Sequence, residues 1–336
     1  MEHSSFDLKS VDLIQPSCRT DVCDQCNEAD QIFLRMQRGK IQFSDLLQID
    51  QTKLIDWTLH MNRATHLRDY HQFRNFALSQ GDYTFLIDYK ENFKAPTQII
   101  QASHAFYVQR PISCLSSISY KMNRVGQILK QITTILSPVI SHTGSFTLKC
   151  VAQMFKNDFF SNIEKCYWFS DGGPHFRNQQ LVCALLRDTQ PLIPNVKFQI
   201  NYSEPAHGKD EIDALFGNYQ TELNENLLEE GISSLIALQE SLSQMTFIIS
   251  LQKEDHLCRH EVIIYDIPCV EDKIDIIRIP GFKQYLSFSR EENSIVASHL
   301  SNEENAEDTK IKIVIIQKDS TKALKRSTVQ IEEDDD

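Results

Sequence analysis

The stretch IEKCYWFSDGGPHFRN, residues 163 to 178, decides the fold that the sequence predicts. Its first half is apolar and aromatic, as a buried strand requires, and it ends on the carboxylate of Asp171. Two glycines and a proline follow at once, and such residues end a strand sharply and open a turn. From Arg177 onward, the apolar residues have helical spacing. The stretch therefore predicts a strand with an acid at its tip, then a turn and a helix.

The segments on either side predict the rest of the order. Besides 163–171, strands are expected at residues 83–89, 97–109, 112–120 and 195–204. Helices are expected at 124–140 and 145–160 (one helix or two, broken near Pro138), at 177–188, and as one long helix at 213–244. Three strands followed by alternating helices and strands predict an α/β fold, with a mixed five-stranded sheet flanked by helices on both faces.

The rest of the chain divides around this core, which is expected to span residues 81–245. Residues 1–80 predict a mostly helical N-terminal region that contains cysteines and histidines. Residues 246–299 predict a small, strand-rich C-terminal appendage, and residues 300–336 an acidic, disordered tail.

The composition excludes several classes of protein. Of the 336 residues, 41% are apolar and 24% charged, which excludes a wholly disordered chain and a coiled-coil rod. The formal net charge of −12 argues against a general nucleic-acid binder. No apolar run reaches the length of about 18 residues that a membrane span needs, and no secretory signal is predicted. Nine cysteines, several of them in apolar runs, indicate a reducing, intracellular compartment.

Three carboxylates stand at strand or helix ends: Asp88 in FLIDYKENF, Asp171, and Asp213 in HGKDEIDALFG. Exposure of Asp88 on one face of its strand is the simple interpretation, because alternate residues face opposite layers. If the first and fourth strands are neighbours, however, Asp88 and Asp171 meet and repel each other unless a cation lies between them. Two divalent cations held by such carboxylates are typical of enzymes that cleave phosphodiesters.

Four blocks in this order, FLIDYKENF, FYVQRPISCL, WFSDGGPHFRN and HGKDEIDALFG, resemble transposon-derived proteins of the DDE/D transposase and integrase group. The resemblance runs from about Cys18 to Gly217 and implies an RNase H-like catalytic core. It implies strand cleavage and joining on DNA at transposon ends, with Mg²⁺ or Mn²⁺. It also implies an intracellular protein, nuclear in a eukaryote, that acts as a homo-oligomer.

The resemblance also assigns roles to the acids. Asp88 and Asp171 would be the two metal-bridging carboxylates, and Asp213 the third. Glu204, at the end of the fifth predicted strand, and Glu222, within the long helix, are alternatives to Asp213.

Five further residues would line the cleft of such an enzyme. His207 would position water or a leaving group, and Arg177 and Lys209 would hold phosphate oxygens. Asn92 and His175 complete the set. Each has a structural alternative: a hydrogen bond in a turn for Asn92, a satisfied ring for the histidines, and solvated charges for Arg177 and Lys209.

A cysteine cluster precedes the core. Cys23 and Cys26 form a C-x-x-C pair, Cys18 offers a third thiolate, and His60 a fourth ligand for Zn²⁺. The distance from Cys26 to His60 is longer than in a compact finger, so other histidines of the same helical stretch are alternatives: His66 and His71. The opposing interpretation is three unligated cysteines in a surface segment.

Two other functions compete with the transposase interpretation. One is a catalytically inactive, domesticated or decayed transposon-derived protein that acts as a DNA- or protein-binding module. The other is an RNase H-like nuclease that acts on RNA or hybrids. The acidic balance and the lack of a clear helix-turn-helix module weigh against the transposase interpretation.

Overall fold

A computed structural model of the chain describes residues 23–95, 109–188, 190–205, 207–208, 211–225, 231–251, 257–266, 276–292, 294–300 and 310–314. Its α-helices are α1 (Asp24–Gly39), α2 (Gln48–Phe76), α3 (Gly144–Met154), α4 (Gln179–Leu186), α5 (Glu211–Glu225) and α6 (Leu235–Leu251). Its strands are β1 (Asp82–Ala95), β2 (Arg110–Met122), β3 (Ile128–Ser137), β4 (Lys165–Ser170), β5 (Lys197–Tyr202), β6 (Leu257–Ile264), β7 (Ser287–Glu291), β8 (Ser294–Ser298) and β9 (Lys310–Val314). Short 3₁₀ turns occupy Phe43–Asp45, Asp158–Phe160 and Phe282–Gln284.

These strands form one mixed sheet in the order β6-β3-β2-β1-β4-β5-β7-β8-β9. β1 is parallel to β4, β4 is parallel to β5, and β3 is parallel to β6, whereas the other neighbouring pairs are antiparallel. The carboxyl ends of β4 and β5 therefore lie at the same end of the sheet. The last pair between β1 and β4 joins Ile87 to Ser170, so the next residue of each strand, Asp88 and Asp171, comes side by side.

The first half of β1 and nearly all of β4 are buried on both faces, as expected for strands that are almost continuously apolar. In β1, Phe85 and Ile87 face a core that includes α3 and α4, whereas Leu86 faces a second core that includes α5 and α6. A third, smaller core lies between α1 and α2 and contains Ile32 and Trp57. The predicted α/β class, with helices flanking a mixed sheet, is confirmed.

α2 is 29 residues long, and it packs against α1 to form the described part of the N-terminal region. Within the described ranges, no helix combines the length and the apolar character that crossing a membrane requires.

The prediction of a helix at residues 124–140 is wrong, because most of that segment is strand β3. The strand follows a tight turn in which Asn123 Oδ1 accepts hydrogen bonds from the backbone N–H groups of Val125 and Gln127. Gly126 has a φ of +84°, which favours glycine. This turn forms a hairpin with β2, and the β-branched residues that follow pack well on a pleated surface. Together these features favour a strand, although the apolar residues of this segment also fit the spacing of a helix.

The sheet has nine described strands, more than the five that the sequence predicts. The prediction of one long helix at residues 213–244 is also wrong. The segment predicted as a strand at 97–109 lies outside the described residues except for Gln109. The segment predicted as one helix at 213–244 belongs to two helices, α5 and α6. Between them lies Gly231, whose φ of +70° is incompatible with continuing a right-handed helix.

The C-terminal strands extend the same sheet. β6 pairs with β3 at one side, and β7 and β8 continue beyond β5 at the other. Phe288 and Ile295, both fully buried, belong to the core that contains α3 and α4. β9, which falls within the predicted tail, pairs with β8. Residues 246–299 therefore contribute strands to the central sheet.

Candidate metal centres

Two carboxylates and a histidine lie close together just beyond the last paired residues of the parallel strands β1 and β4. Asp88, Asp171 and His175 each offer one ligand atom, these three atoms lie within 4.8 Å of one another, and all three residues are partly buried. His175 Nε2 is 3.5 Å from Asp171 Oδ1. Asp88 Oδ1 accepts a hydrogen bond of 2.7 Å from the backbone N–H of Tyr89. We call Asp88, Asp171 and His175 the acid group; its oxygen and imidazole atoms are spaced so that they could hold a cation.

The turn after β4 gives this group its shape. The backbone N–H of Gly173 donates a hydrogen bond of 3.0 Å to Asp171 Oδ1. A Cβ atom at Gly173 would lie 2.6 Å from His175 Cε1 and 3.0 Å from Asp171 Oδ1, so a larger residue would displace the imidazole. Asn178 caps α4 by accepting a hydrogen bond of 2.8 Å from the backbone N–H of Leu181. The turn is thus fixed at both ends.

Aromatic rings enclose His175 on one side. Its ring packs edge-to-face on Tyr89, with 5.0 Å between centroids, and on Phe176, with 4.4 Å. Tyr89 also stacks on His142 at 4.2 Å. Burial lowers the pKa of His142, and the neighbouring His175 lowers it further. His142 therefore favours its neutral form beside the acid group.

Arg177 and Asn92 make different contacts from those that the sequence predicts. Arg177 Nη2 donates hydrogen bonds to the backbone carbonyls of Lys283, at 2.5 Å, and Tyr285, at 2.9 Å. Burial lowers its pKa. These bonds hold the turn after β4 against the segment before β7. Asn92 lines a separate cavity of about 400 Å³ between the end of β1 and helices α5 and α6.

Within the described residues, none of the candidates for a third acid belongs to the acid group. Asp213 is exposed in the first turn of α5 and is not among the ligand atoms that lie within 4.8 Å of one another. Glu222 is partly buried later in the same helix. Glu204 is 6% exposed, and its carboxylate is bound by His60 and Arg63.

A second group of ligands is fully buried. Cys23, Cys26, His60 and His207 each offer one atom, and the four atoms lie within 4.8 Å of one another. Cys23 Sγ is 3.2 Å from His60 Nε2, and Cys26 Sγ is 3.4 Å from His207 Nε2. The two Nε2 atoms are 2.8 Å apart. We call these four residues the Cys/His group; two thiols and two imidazoles at these distances could hold a metal ion.

Three separate parts of the chain build the Cys/His group. Cys23 is the N-cap of α1, and Cys26 follows within the first turn, so the C-x-x-C spacing places both thiols together. His60 lies in the middle of α2, and His207 in the connection between β5 and α5. Burial raises the pKa of the Cys26 thiol to about 11, and the neighbouring Cys23 adds to this.

Glu204 orients the histidine of α2. His60 Nδ1 is 2.9 Å from Glu204 Oε1, and Arg63 Nη2 is 2.7 Å from the same oxygen. Burial opposes ionisation of Glu204, but the hydrogen bonds from His60 and Arg63 outweigh it, so the pKa of Glu204 is lowered. Because an ionised carboxylate only accepts hydrogen bonds, Nδ1–H of His60 is the donor to Glu204, and Nε2 is the ring nitrogen that faces Cys23.

The sequence predicted part of each group. It placed Asp88 beside Asp171, and it paired Cys23 and Cys26 with His60. It placed His207 and Glu204 with the acids, whereas the structure brings both to the Cys/His group. His207 is 147 residues from His60, and no local spacing pattern connects residues that far apart. Cys18 and Lys209 lie outside the described residues.

One connection touches both groups. A Cβ atom at Gly208 would lie 2.9 Å from Ser203 Oγ and 3.3 Å from Asp171 Cβ. Gly208 directly follows His207, so neighbouring residues of one short segment contact the two groups.

No curated protein and no solved structure matches the chain. Residues 68–256, which are more than half of the 336 residues, match the family described as "Domain of unknown function (DUF8701)". The matched segment contains Asp88, Asp171 and His207, whereas Cys23, Cys26 and His60 precede it. By the extent of this match, the chain belongs to that family.

Proposed function

We propose that the chain is a metal-dependent phosphoryl-transfer enzyme of the DDE/D transposase type, with an RNase H-like core. The observation that carries this proposal is the convergence of Asp88 and Asp171, with His175, at the ends of two neighbouring parallel strands. The resemblance in sequence requires that the strand with the first acid lie beside the strand that ends at the second. The order β3-β2-β1-β4-β5 within the sheet supports this requirement.

The roles within the acid group follow from its contacts. Asp88 and Asp171 would ligate the cation from neighbouring strands, and His175 would add a nitrogen ligand from the turn. Bound there, divalent cations such as Mg²⁺ or Mn²⁺ would activate water and stabilise the leaving oxygen of a phosphodiester. The Gly173 N–H orients Asp171 by its hydrogen bond of 3.0 Å. The substrate in this proposal is transposon-end DNA, and the enzyme acts in the nucleus of a eukaryote as a homo-oligomer.

The Cys/His group takes no part in this reaction. Thiolate ligands suit soft or borderline ions, whereas Mg²⁺ takes oxygen ligands, so the two groups would select different ions.

Cleavage of end-labelled duplex DNA with Mg²⁺ or Mn²⁺ tests the proposal. Asp171→Ala removes a ligand of the acid group, so we expect the rate to fall by at least about a hundredfold, or about 2.7 kcal/mol of transition-state stabilisation. Glu240→Gln, at an exposed acid of α6, is the matched control and should cleave like wild type. Cleavage that survives Asp171→Ala would exclude Asp171 as a metal ligand.

A second candidate function is a binding protein that has lost cleavage. It is favoured by the position of Asp213, which is exposed and apart from the acid group within the described residues. The same assay separates the two candidates. Wild-type chain that binds Mn²⁺ and DNA but leaves the DNA intact would support the binding protein, and Asp213→Ala measured beside Asp171→Ala shows whether this third acid contributes.

A further inference from the structure

We propose that Cys23, Cys26, His60 and His207 bind one structural Zn²⁺ that cross-links the N-terminal helices to the connection between β5 and α5. The proposal is independent of phosphoryl transfer, because it uses other residues and another kind of ion. It also differs from the ligand set that the sequence predicts, since His207 takes the place of Cys18.

The geometry fits a tetrahedral ion. In zinc sites the Zn–S distance is about 2.3 Å and the Zn–N distance about 2.0 Å, so neighbouring ligand atoms lie about 3.3 to 3.8 Å apart. The distance from Cys23 Sγ to His60 Nε2 is 3.2 Å, and that from Cys26 Sγ to His207 Nε2 is 3.4 Å. The two Nε2 atoms, at 2.8 Å, would separate by about 0.5 Å to reach this range.

The burial and number of the ligands indicate a structural site. The exposed fraction is 5% for Cys23, 3% for Cys26, 3% for His60 and 6% for His207. Catalytic zinc sites typically have three protein ligands and keep a position open for water, whereas structural sites are closed by four. Four buried protein ligands leave a bound ion no open position.

The side chains that contact His60 support the same assignment. Histidines that bind metals almost always donate their other ring N–H to a carboxylate or carbonyl group, which fixes the tautomer. His60 Nδ1 lies 2.9 Å from Glu204 Oε1, and Arg63 holds the same oxygen from the next turn of α2. Glu204 and His207 both come from the connection after β5, so this connection supplies a ligand and the group that orients another.

A network of hydrogen bonds without metal is the competing explanation. Cys23 Sγ accepts from the backbone N–H of Cys26 at 3.5 Å, as an N-cap does, and the thiols could donate to the histidines. That network joins the thiols to the imidazoles only through hydrogen bonds to sulfur, which are weak. A bound ion instead converts all four into a cross-link between α1, α2 and the core.

Elemental analysis of the full chain, purified without chelator, tests the proposal. We expect one zinc per chain in wild type and a loss of zinc in Cys26→Ser and His207→Asn. Cys258→Ser, at a thiol of β6 outside the group, is the matched control and should keep one zinc. Zinc that is retained by both ligand variants would overturn the proposal.

Cobalt spectroscopy of the wild-type chain tests the site even if the ligand variants fail to fold. Wild type stripped with a chelator and titrated with Co²⁺ should show the visible bands of tetrahedral cobalt together with a thiolate-to-metal charge-transfer band.

Glu204→Gln keeps the four ligands but weakens the orientation of His60, so Zn²⁺ affinity measured by chelator competition should fall 10- to 100-fold. A folded wild-type chain that contains no zinc and gives no cobalt bands would refute the site.

Discussion

At the scale of the residue, Gly173 allows the acid group to form. With only a hydrogen atom at its side-chain position, it lets the ring of His175 and the carboxylate of Asp171 approach each other. Its own N–H completes the arrangement by binding Asp171. A methyl group at this position would disturb the approach of His175 to Asp171 without replacing either residue.

Gly173→Ala should therefore weaken divalent-cation binding at the acid group. The added Cβ would lie 2.6 Å from His175 Cε1 and 3.0 Å from Asp171 Oδ1, so the imidazole ring must shift from its position beside the carboxylate. We expect Mn²⁺ affinity, measured by electron paramagnetic resonance, to fall about tenfold, or about 1.4 kcal/mol. Gly217→Ala, where a Cβ would meet nothing within 4 Å, is the control. Equal Mn²⁺ affinities in the two variants would show that His175 is not a ligand.

A partly buried histidine in β6 predicts how stability depends on pH. Burial lowers the pKa of His260 in β6 to about 4, and its Nε2 lies 2.6 Å from the hydroxyl of Tyr219. Both the folded and the unfolded chain hold it neutral above about pH 6.5, but below that pH only the unfolded chain takes up the proton. His260 thus removes on the order of 3 kcal/mol of stability as the pH falls from about 6.5 to about 4.

Substituting His260 isolates this contribution. His260→Gln keeps a polar partner for Tyr219 but does not titrate, so its free energy of unfolding should fall less with acid than that of wild type. Urea titrations of both proteins at several pH values measure the difference, and other acid-sensitive groups cancel because both proteins share them. Parallel curves for the two proteins would exclude the predicted pKa.

At the scale of the element, β1 and β4 were more predictable from the sequence than β3, although all three strands lie inside the sheet. β1 and β4 are apolar on both faces and end in acids or turn residues, so their positions were found from the sequence. β3 was predicted as a helix because its apolar spacing also fits a helical period. What decides its structure is the hairpin turn at Gly126 and pairing with β2, and pairing is a tertiary property.

The two candidate metal-binding groups also differ in how far the sequence predicted them. Asp88 and Asp171 could be placed together because adjacent parallel strands bring equivalent positions together. C-x-x-C could be recognised because its spacing is local. The roles of His207 and Glu204 depend on how α2 lies across the connection after β5, and no pattern within either segment encodes that contact.

At the scale of the whole molecule, the sheet makes the C-terminal strands part of the central structure. β7 pairs with β5, and the side chain of Phe288 is fully buried in the core shared with α3 and α4. Residues 246–299, predicted as an appendage, thus share a core with the segment 81–245. We therefore expect the chain to unfold as one cooperative unit.

Phe288→Ala tests this cooperativity. Removing a fully buried phenylalanine costs about 3 to 5 kcal/mol, and we expect the single unfolding transition of the chain to move to lower denaturant as a whole. Phe76→Ala, at a ring that is 81% exposed, should change stability by less than about 0.5 kcal/mol. A new, separate transition for the C-terminal strands, with the rest unchanged, would show that they form an independent unit.

The separation between His60 and His207 also has a consequence for the timing of synthesis. His60 leaves the ribosome 147 residues before the histidine that it contacts, and a chain that grows by about 5 to 20 residues per second needs about 7 to 30 seconds to cover that interval. During that time α1 and α2 exist without their partner, and β1 to β5 are made before it arrives. The N-terminal helices, although first to be synthesised, therefore reach their final contacts only after the central strands have emerged.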